Sequence, residues 1–357
     1  MEKRNIPFYT RNSKAALLVI GLCIGLSLHA QKSAPAHVGL VYPISTNGTA
    51  APQYSNGFSL HAIAGVSRTE RNVALAGFSN IILDSARGLQ TSGFYNHIGN
   101  TAKGVTLAGF ANYTRHQSNG VQGAGFLNLY GGGKGLAMAG FGNIVTGRHA
   151  QAAYKGVQLA GFMNRAGDVN TQVAGFINIA RKVKGVQLAG FINIADSSDY
   201  PIGIVNIIKN GEGYIGAAIT ENYTGLISFR SGGRVLYGIL GLAYNFSSEK
   251  NRYGLEAGLG AHLVRAKQWR LNTELSSTWL TDFKGGDYLN GALRILPSLR
   301  VAKSVAIYGG PTLNFVAATI TRNSDLSTHY FWHKTSGDHI YGLYCGVMGG
   351  VQIAIFQ

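Results

Sequence analysis

The chain has 357 residues, of which 50 are Gly, 46% are hydrophobic and 13% are charged. This Gly content with 18 Tyr and 16 Phe indicates a chain that builds a core, which excludes a disordered or collagen-like protein. The formal net charge is +16, but the 31 Lys and Arg are spread singly along the chain, which argues against a nucleic-acid-binding protein.

The N-terminal residues have the order of a secretory signal peptide. Basic residues precede an apolar stretch over residues 15–28, which ends at Leu28-His29-Ala30. Because 14 apolar residues are too few to cross a bilayer comfortably, the pattern predicts a signal peptide at residues 1–30, followed by a linker at 31–36. No later segment has 18 consecutive apolar residues, so no transmembrane helix is predicted after it.

A repeat dominates residues 37–210. Gly-Phe-x-Asn recurs with its Gly at residues 77, 93, 109, 125, 140, 161, 175 and 190, and eight of the 16 Phe belong to these units. The motif residues singled out are Gly77, Phe78 and Asn80, Gly109, Phe110 and Asn112, Gly161, Phe162 and Asn164, and Gly190, Phe191 and Asn193. A fixed period of this kind indicates one structural unit per repeat.

Each repeat reads as a β-strand, because its residues alternate between two faces. In residues 185–195 one face carries Val186, Leu188, Ile192 and Ile194, whereas the other carries Gln, Ala, Phe and Asn. Short connections rich in Gly, Asp, Asn, Lys and Arg separate the repeats, which is typical of turns.

Residues 211–357 continue the strand pattern without the repeat. Trp269 and Trp279 stand ten residues apart on one apolar face. At a strand tilt near 40° this separation is about 25 Å along a membrane normal, the height of the apolar band of an outer-membrane barrel between its aromatic girdles. The two Trp are therefore predicted to mark the membrane girdles.

Polar residues on the opposite faces of these strands are expected to point into the barrel lumen. The candidates are Glu256, His262, Arg270, Glu274, Arg294 and Arg300. They can line a selective pore or pair with one another as structural ion pairs, and the second reading is favoured.

Two all-β architectures fit the pattern. An up-and-down antiparallel transmembrane barrel of roughly 16 to 20 strands would use each repeat as one strand, in one continuous barrel with residues 211–357. The alternative is an N-terminal β-solenoid followed by a smaller C-terminal barrel. Ten extended residues span about 33 Å, whereas a five-residue linker spans at most about 17 Å, so the linker is too short to return the chain to the start of a straight strand. A solenoid therefore requires a corner at the Gly of each Gly-Phe. This requirement favours the single large barrel.

The repeat units resemble a family of Gram-negative bacterial surface-repeat proteins. The resemblance rests on the Gly-Val-Gln-Leu-Ala-Gly-Phe-x-Asn-x-Ala units, on residues 37–48 before them and on Tyr237-Gly238-Ile239-Leu240-Gly241 after them. It implies a cell-envelope location and little biochemistry. The end of the chain is similar to outer-membrane barrel proteins, which commonly finish on an aromatic residue, here Phe356.

No catalytic or phosphate-binding motif occurs in the chain, so neither an enzyme nor a cofactor is expected. His329, His333 and His339, with Asp325 and Asp338, are read as part of a mobile loop rather than as a metal site.

The expected function is that of a non-catalytic outer-membrane protein with a pore, transport or structural role. The alternative is an exported surface repeat protein that serves as a binding or adhesion platform. Expected partners are outer-membrane lipid and the barrel-assembly machinery; no nucleic acid is expected, and the sequence identifies no surface ligand.

Overall fold

The computed structural model describes residues 32–147, 153–248, 251–283, 288–319 and 329–356. These residues are almost entirely β-strand, arranged as a parallel solenoid followed by an antiparallel barrel. The predicted signal peptide lies outside the described residues. No helix in the described part of the chain has the length and hydropathy that crossing a bilayer requires.

The first strands form the N-terminal end of the solenoid. β1 (Lys32–Val41) pairs in parallel with β3 (Tyr54–Ser67). Between them lie β2 (Ile44–Ser45), which is antiparallel to the end of β1, and a 3₁₀-helix (Gly48–Gln53). The later half of β3 already pairs with the next coil.

Each Gly-Phe-x-Asn repeat forms one coil of the solenoid. The strands of the coils are β4 (Thr69–Ala76), β5 (Ser79–Ile82), β6 (Ala86–Ser92), β7 (Tyr95–Ile98), β8 (Ala102–Ala108), β9 (Ala111–Ala124), β10 (Leu127–Ala139), β11 (Gly142–Val145), β12 (Tyr154–Ala160), β13 (Met163–Arg165), β14 (Asp168–Ala174), β15 (Ile177–Ala189), β16 (Ile192–Ile202) and β17 (Val205–Ile208). Each side of a coil pairs in parallel with the same side of the next coil, so Asn80, Asn96 and Asn112 share one register position.

The Gly-Phe pair is the corner at which each coil turns back. A Cβ atom on Gly109 would collide with the carbonyl oxygen of Gly93, and one on Gly125 would collide with that of Gly109. Only glycine allows the backbones of successive coils to approach so closely. The corner divides each repeat into two short sides, so the short linker can close the coil.

The prediction of one barrel of roughly 16 to 20 strands is therefore wrong. The repeats are solenoid coils that pair in parallel, and they do not form antiparallel hairpins with one another. The chain instead adopts the architecture that sequence analysis kept as the alternative, a solenoid followed by a smaller barrel.

Nine strands follow the solenoid in the described residues, and eight of them build the barrel. The strands are β18 (Glu212–Thr220), β19 (Thr224–Gly232), β20 (Leu236–Asn245), β21 (Tyr253–Arg265), β22 (Trp269–Thr281), β23 (Tyr288–Arg300), β24 (Val305–Thr319), β25 (Trp332–Ser336) and β26 (His339–Phe356). Sequential neighbours are antiparallel, and β26 pairs with both β24 and β18, which closes the barrel. In the described residues β25 pairs only with the first part of β26, outside the closed ring.

Candidate functional site: a filled lumen and two apolar outer surfaces

Four charged side chains meet inside the barrel, each at most 5% exposed. Arg230 Nε donates to Glu274 Oε1 at 2.8 Å, and Arg294 Nη1 donates to Glu256 Oε1 at 2.6 Å. Arg294 also lies 3.5 Å from Glu274 Oε2, which joins the two ion pairs into one network. Each charge has a partner of opposite sign, as the burial of ionised groups requires.

Neutral groups complete this network. The Tyr237 hydroxyl donates to Glu274 Oε1 at 3.0 Å, and the Ser228 hydroxyl donates to Glu256. The guanidinium of Arg230 lies 4.9 Å from the centre of the Tyr308 ring, within the range of a cation–π contact. These contacts hold the carboxylates and the guanidinium in one arrangement.

A second polar cluster lies at the end of the barrel next to the solenoid. Glu212 Oε2 accepts from Arg270 at 2.5 Å and from the Tyr214 hydroxyl at 2.9 Å, and Glu212 also pairs with Arg265. Close by, His262 Nδ1 and Asn272 Oδ1 are 2.7 Å apart. Two of the residues predicted to face the lumen, Arg270 and His262, therefore belong to this end cluster.

The remaining predicted lumen residues divide into two groups. Glu256, Glu274 and Arg294 form the central network, whereas Arg300 is exposed at the end of β23. Sequence reasoning missed Arg230, although the alternation that located the others also applies to β19. There Ser228 and Arg230 occupy one face and the exposed Ile227 the other.

The lumen is filled by side chains. Beside the ion pairs packs a buried apolar cluster of Leu226, Ala243, Leu280, Tyr288, Leu296, Tyr308, Val316, Ala318, Tyr344 and Met348. Cavities lined by lumen residues measure about 10–20 Å³. Each of these cavities has room for about one water molecule.

The outer wall of the barrel is apolar. Trp269 and Trp279 both point outward from β22, and the outward Leu275 between them is 64% exposed. Other exposed wall residues are Ile227, Leu242, Leu255, Leu259, Leu289, Leu293, Ile295, Leu299, Ile307, Leu313, Phe315, Val347, Val351 and Ile353. The exposed side chains on the wall are thus mostly apolar, whereas the charged side chains of the central network lie in the lumen.

The interior of the solenoid combines buried apolar clusters with a column of polar side chains. The motif residues Asn80, Asn112, Asn164 and Asn193 are buried in its interior, and each donates a hydrogen bond to the Asn of the next coil. The motif residues Gly77, Gly109, Gly161 and Gly190 form the corners. The motif residues Phe78, Phe110, Phe162 and Phe191 are exposed on the outside.

A buried polar cluster closes the N-terminal end of the solenoid. Asn56 Nδ2 donates to Glu70 Oε1 at 3.2 Å, and the Ser59 hydroxyl donates to the same oxygen at 2.7 Å. The rings of His37 and His61 pack edge to face with centroids 4.4 Å apart. Burial lowers the pKa of His61 to about 4, with His37 acting in the same direction, and burial raises the pKa of Glu70.

The histidine-rich loop has no metal geometry in its described part. Asp325 lies outside the described residues, and His333 and His339 are exposed on β25 and β26. Among the residues that the structure describes, no group of three or more His, Cys, Asp or Glu side chains is arranged to hold a metal ion.

Comparison of the chain with protein families, with curated proteins and with solved structures gives no match. The regular repeat architecture is thus observed in the structure itself, whereas the resemblance to bacterial surface-repeat proteins rests on the motif alone and stays a prediction.

Proposed function

We propose that this chain is a non-catalytic structural protein of a bacterial outer membrane, in which the eight-stranded barrel spans the bilayer and anchors the solenoid. The observation that carries the proposal is the radial order of the barrel, with ion pairs in the lumen and an apolar outer wall. Lipid is the environment in which such a wall is favourable. The barrel and the predicted signal peptide support the further proposal of a location in a Gram-negative envelope.

The filled lumen favours an anchor over a pore. Every charge of the central network is paired with another lumen residue, and the cavities beside it hold about one water molecule each. The same pairing leaves these acids and bases engaged in structural contacts, which supports a role without catalysis.

The connections of the barrel suggest its orientation. At the solenoid end the strands are joined by residues 233–235, 266–268 and 301–304. At the other end they are joined by residues 221–223, 246–252, 282–287 and, before β25, 320–331. Outer-membrane barrels have short periplasmic turns and longer extracellular loops, so the solenoid belongs on the periplasmic side. Outer-membrane lipid and the barrel-assembly machinery are the partners that this placement requires.

A charge on the outer wall tests the proposal. Leu275→Arg places a charge midway between the two Trp, whereas Leu299→Arg places it beside Trp269, with which Leu299 is in register. In a membrane the first should destabilise the folded barrel by about 2–4 kcal/mol and the second by about 0–1 kcal/mol.

The measurement is urea unfolding of the refolded protein in lipid vesicles. The folded fraction at each urea concentration is read from a detergent gel, on which folded and boiled protein differ in mobility. Equal and small effects of both substitutions would show that the wall faces water, and would overturn the proposal.

A further inference from the structure

Both outer faces of the solenoid carry columns of apolar residues. Each coil has a longer side, which precedes the Gly-Phe corner, and a shorter side, which follows it. On the longer side, the outward residues of successive coils form two columns. The first column is Val105, Val121, Leu136 and Val157, and the second is Leu107, Met138, Leu159, Val173 and Leu188. On the shorter side one outward column is Leu127, Met163, Ile177, Ile192 and Val205. On that side the exposed Arg165 interrupts another such column, in register with Ile144 and Ile179. A shallow groove of about 530 Å³, lined by Met138, Leu159 and Val173 among others, runs along the longer side.

The two faces meet at an edge of stacked Phe rings, here called the Phe edge. It consists of Phe78, Phe94, Phe110, Phe126, Phe141, Phe162, Phe176 and Phe191. Successive ring centroids are 4.8–5.2 Å apart. Seven of the rings are 37–52% exposed and Phe141 is half-buried. A continuous apolar ridge of this size marks an interaction surface.

The opposite edge of the solenoid is basic. At the start of the longer side Arg87 is in register with Lys103, and Lys134 with Lys155, all with exposed side chains. Further basic residues, Arg115, Arg181, Lys182 and Lys184, are exposed on the same edge. The solenoid is therefore amphipathic across its section, apolar at the Phe edge and cationic at the basic edge.

Contacts with the barrel show which edge of the solenoid points towards the apolar outer wall. The last coil ends against the outer wall of β19 and β20, where Asn206 N donates to Ser231 Oγ at 2.9 Å. Gly238 faces this coil, and a Cβ atom there would collide with the carbonyl oxygens of Gly203 and Ile204, which continue the Gly-Phe corner. Two residues further along β20 the apolar outer wall begins with the exposed Leu240.

The longer side of the last coil lies against a short turn at the end of the barrel. A Cβ atom on Gly233, in the short turn between β19 and β20, would lie 2.6 Å from the carbonyl oxygen of Ser198. Ser198 belongs to the longer side of the coil and precedes the corner. The Phe edge therefore points along β20 towards the apolar wall, and the basic edge points towards the short turns.

We infer that the Phe edge is immersed in the acyl chains of the adjacent leaflet and that the basic edge lies at the lipid phosphates, an inference that rests on the proposed function of the barrel. The dimensions agree, because the six residues from Val105 to Phe110 span about 16 Å, close to half of a hydrocarbon core of about 30 Å. The solenoid is then a monotopic arm that extends from the barrel within one leaflet, with lipid acyl chains in its apolar groove.

The test places a polarity-sensitive fluorophore on single cysteines of the full chain, with Cys23 and Cys345 replaced by Ser. The labelled variants are Phe110→Cys and Phe176→Cys on the Phe edge, Lys103→Cys on the basic edge of the same coil as Phe110, and Leu275→Cys on the barrel wall. Each is refolded into vesicles of phosphatidylethanolamine and phosphatidylglycerol. Quenching is measured with nitroxide on the acyl chains and with iodide present on both sides of the membrane.

Labels at positions 110, 176 and 275 should show blue-shifted emission, should be quenched by the acyl-chain nitroxide and should not be quenched by iodide. The label at position 103 should show no blue shift, should be quenched by iodide and should not be quenched by the nitroxide. If 275 is quenched from the lipid but 110 and 176 from the water, the inference is wrong and the barrel proposal stands. If 110 and 176 escape both quenchers, a second copy of the chain covers the Phe edge, which also overturns the inference. If 275 is quenched by iodide, the barrel proposal itself fails.

Discussion

The side-chain amide of Asn112 donates a hydrogen bond of 2.9 Å to Oδ1 of Asn128, one coil further along the solenoid. The same contact is repeated along a column of Asn80, Asn96, Asn112, Asn128, Asn143, Asn164, Asn178, Asn193 and Asn206. Each amide also donates to a carbonyl oxygen within its own coil or the next, as Asn128 does to Met138 at 2.7 Å. The column shares the interior of the solenoid with two buried apolar clusters, which include Ile82, Ile98, Tyr130 and Ile208.

Asn128→Ala should destabilise the solenoid by about 3 kcal/mol, because it removes three buried hydrogen bonds at once: the one that Asn112 donates to Asn128, and the two that Asn128 donates to Asn143 Oδ1 and to the Met138 carbonyl. The measurement is hydrogen exchange of β9–β11 amides in the full chain. Asn170→Ala is the matched control, since Asn170 is exposed, and it should change the opening free energy by less than about 0.5 kcal/mol. Equal effects would show that the column adds no stability.

Gly125→Ala should disrupt the stacking of coils, because its Cβ would collide with the carbonyl oxygen of Gly109. We expect a loss of more than about 3 kcal/mol in the opening free energy of the same amides. Gly123→Ala, two residues away, is the control: its Cβ would meet only a side-chain atom of Leu107 at 3.0 Å. A Gly125→Ala protein as protected as this control would contradict the corner assignment.

The N-terminal coils should lose stability as the pH falls from about 6.5 to 4. His61 is protonated near pH 6.5 when unfolded but has a pKa of about 4 when buried, so the unfolded state binds more protons in this window. The loss attributable to His61 is about 2–3 kcal/mol. Glu70, whose pKa burial raises, acts in the opposite direction because its native carboxyl binds a proton more readily than the unfolded one.

The His61 contribution is isolated by comparison with His61→Gln. The difference in opening free energy of β3 and β4 between the two proteins should shrink as the pH falls through this window. The coils from Tyr154 to Ile202 contain no His and provide an internal control that should not change. A difference that is constant with pH would show that His61 does not titrate as proposed.

Arg294→Met should destabilise the barrel by about 3–5 kcal/mol, because it leaves two buried carboxylates, Glu256 and Glu274, short of a cation. Arg181→Met removes the same side chain from a solvent-exposed pair with Asp168 and should cost at most about 1 kcal/mol. The temperature at which the folded band on a detergent gel converts to the unfolded band measures both. Comparable losses would contradict a buried network.

Period-two alternation was sufficient to predict that the chain is all-β and that the C-terminal strands carry polar residues inward and apolar residues outward. Glu256, Glu274 and Arg294 follow this rule because a regular strand places alternate side chains on opposite faces. Arg300 does not, since it stands at the end of β23, where the wall no longer covers its side chain.

The alternation fails at one residue of each repeat. Phe110 has the same parity as the buried Thr106, Ala108 and Asn112, yet it is exposed because the chain turns at Gly109 and Phe110. At a corner one side chain points outward instead of inward, while the residues on either side keep the same alternation. The repeat alone therefore cannot show whether each unit is one continuous strand or two strands separated by a corner.

The sequence by itself determined the all-β class, the period of the repeat and the inward-facing Glu256, Glu274 and Arg294 of the barrel strands. Only the tertiary structure decided that repeats pair in parallel as coils, and that eight later strands close a separate barrel. Both pairings satisfy the hydrogen bonds of an extended backbone. The choice depends on contacts between residues a full repeat apart, where Gly lies against the carbonyl of the preceding Gly and Asn bonds to Asn.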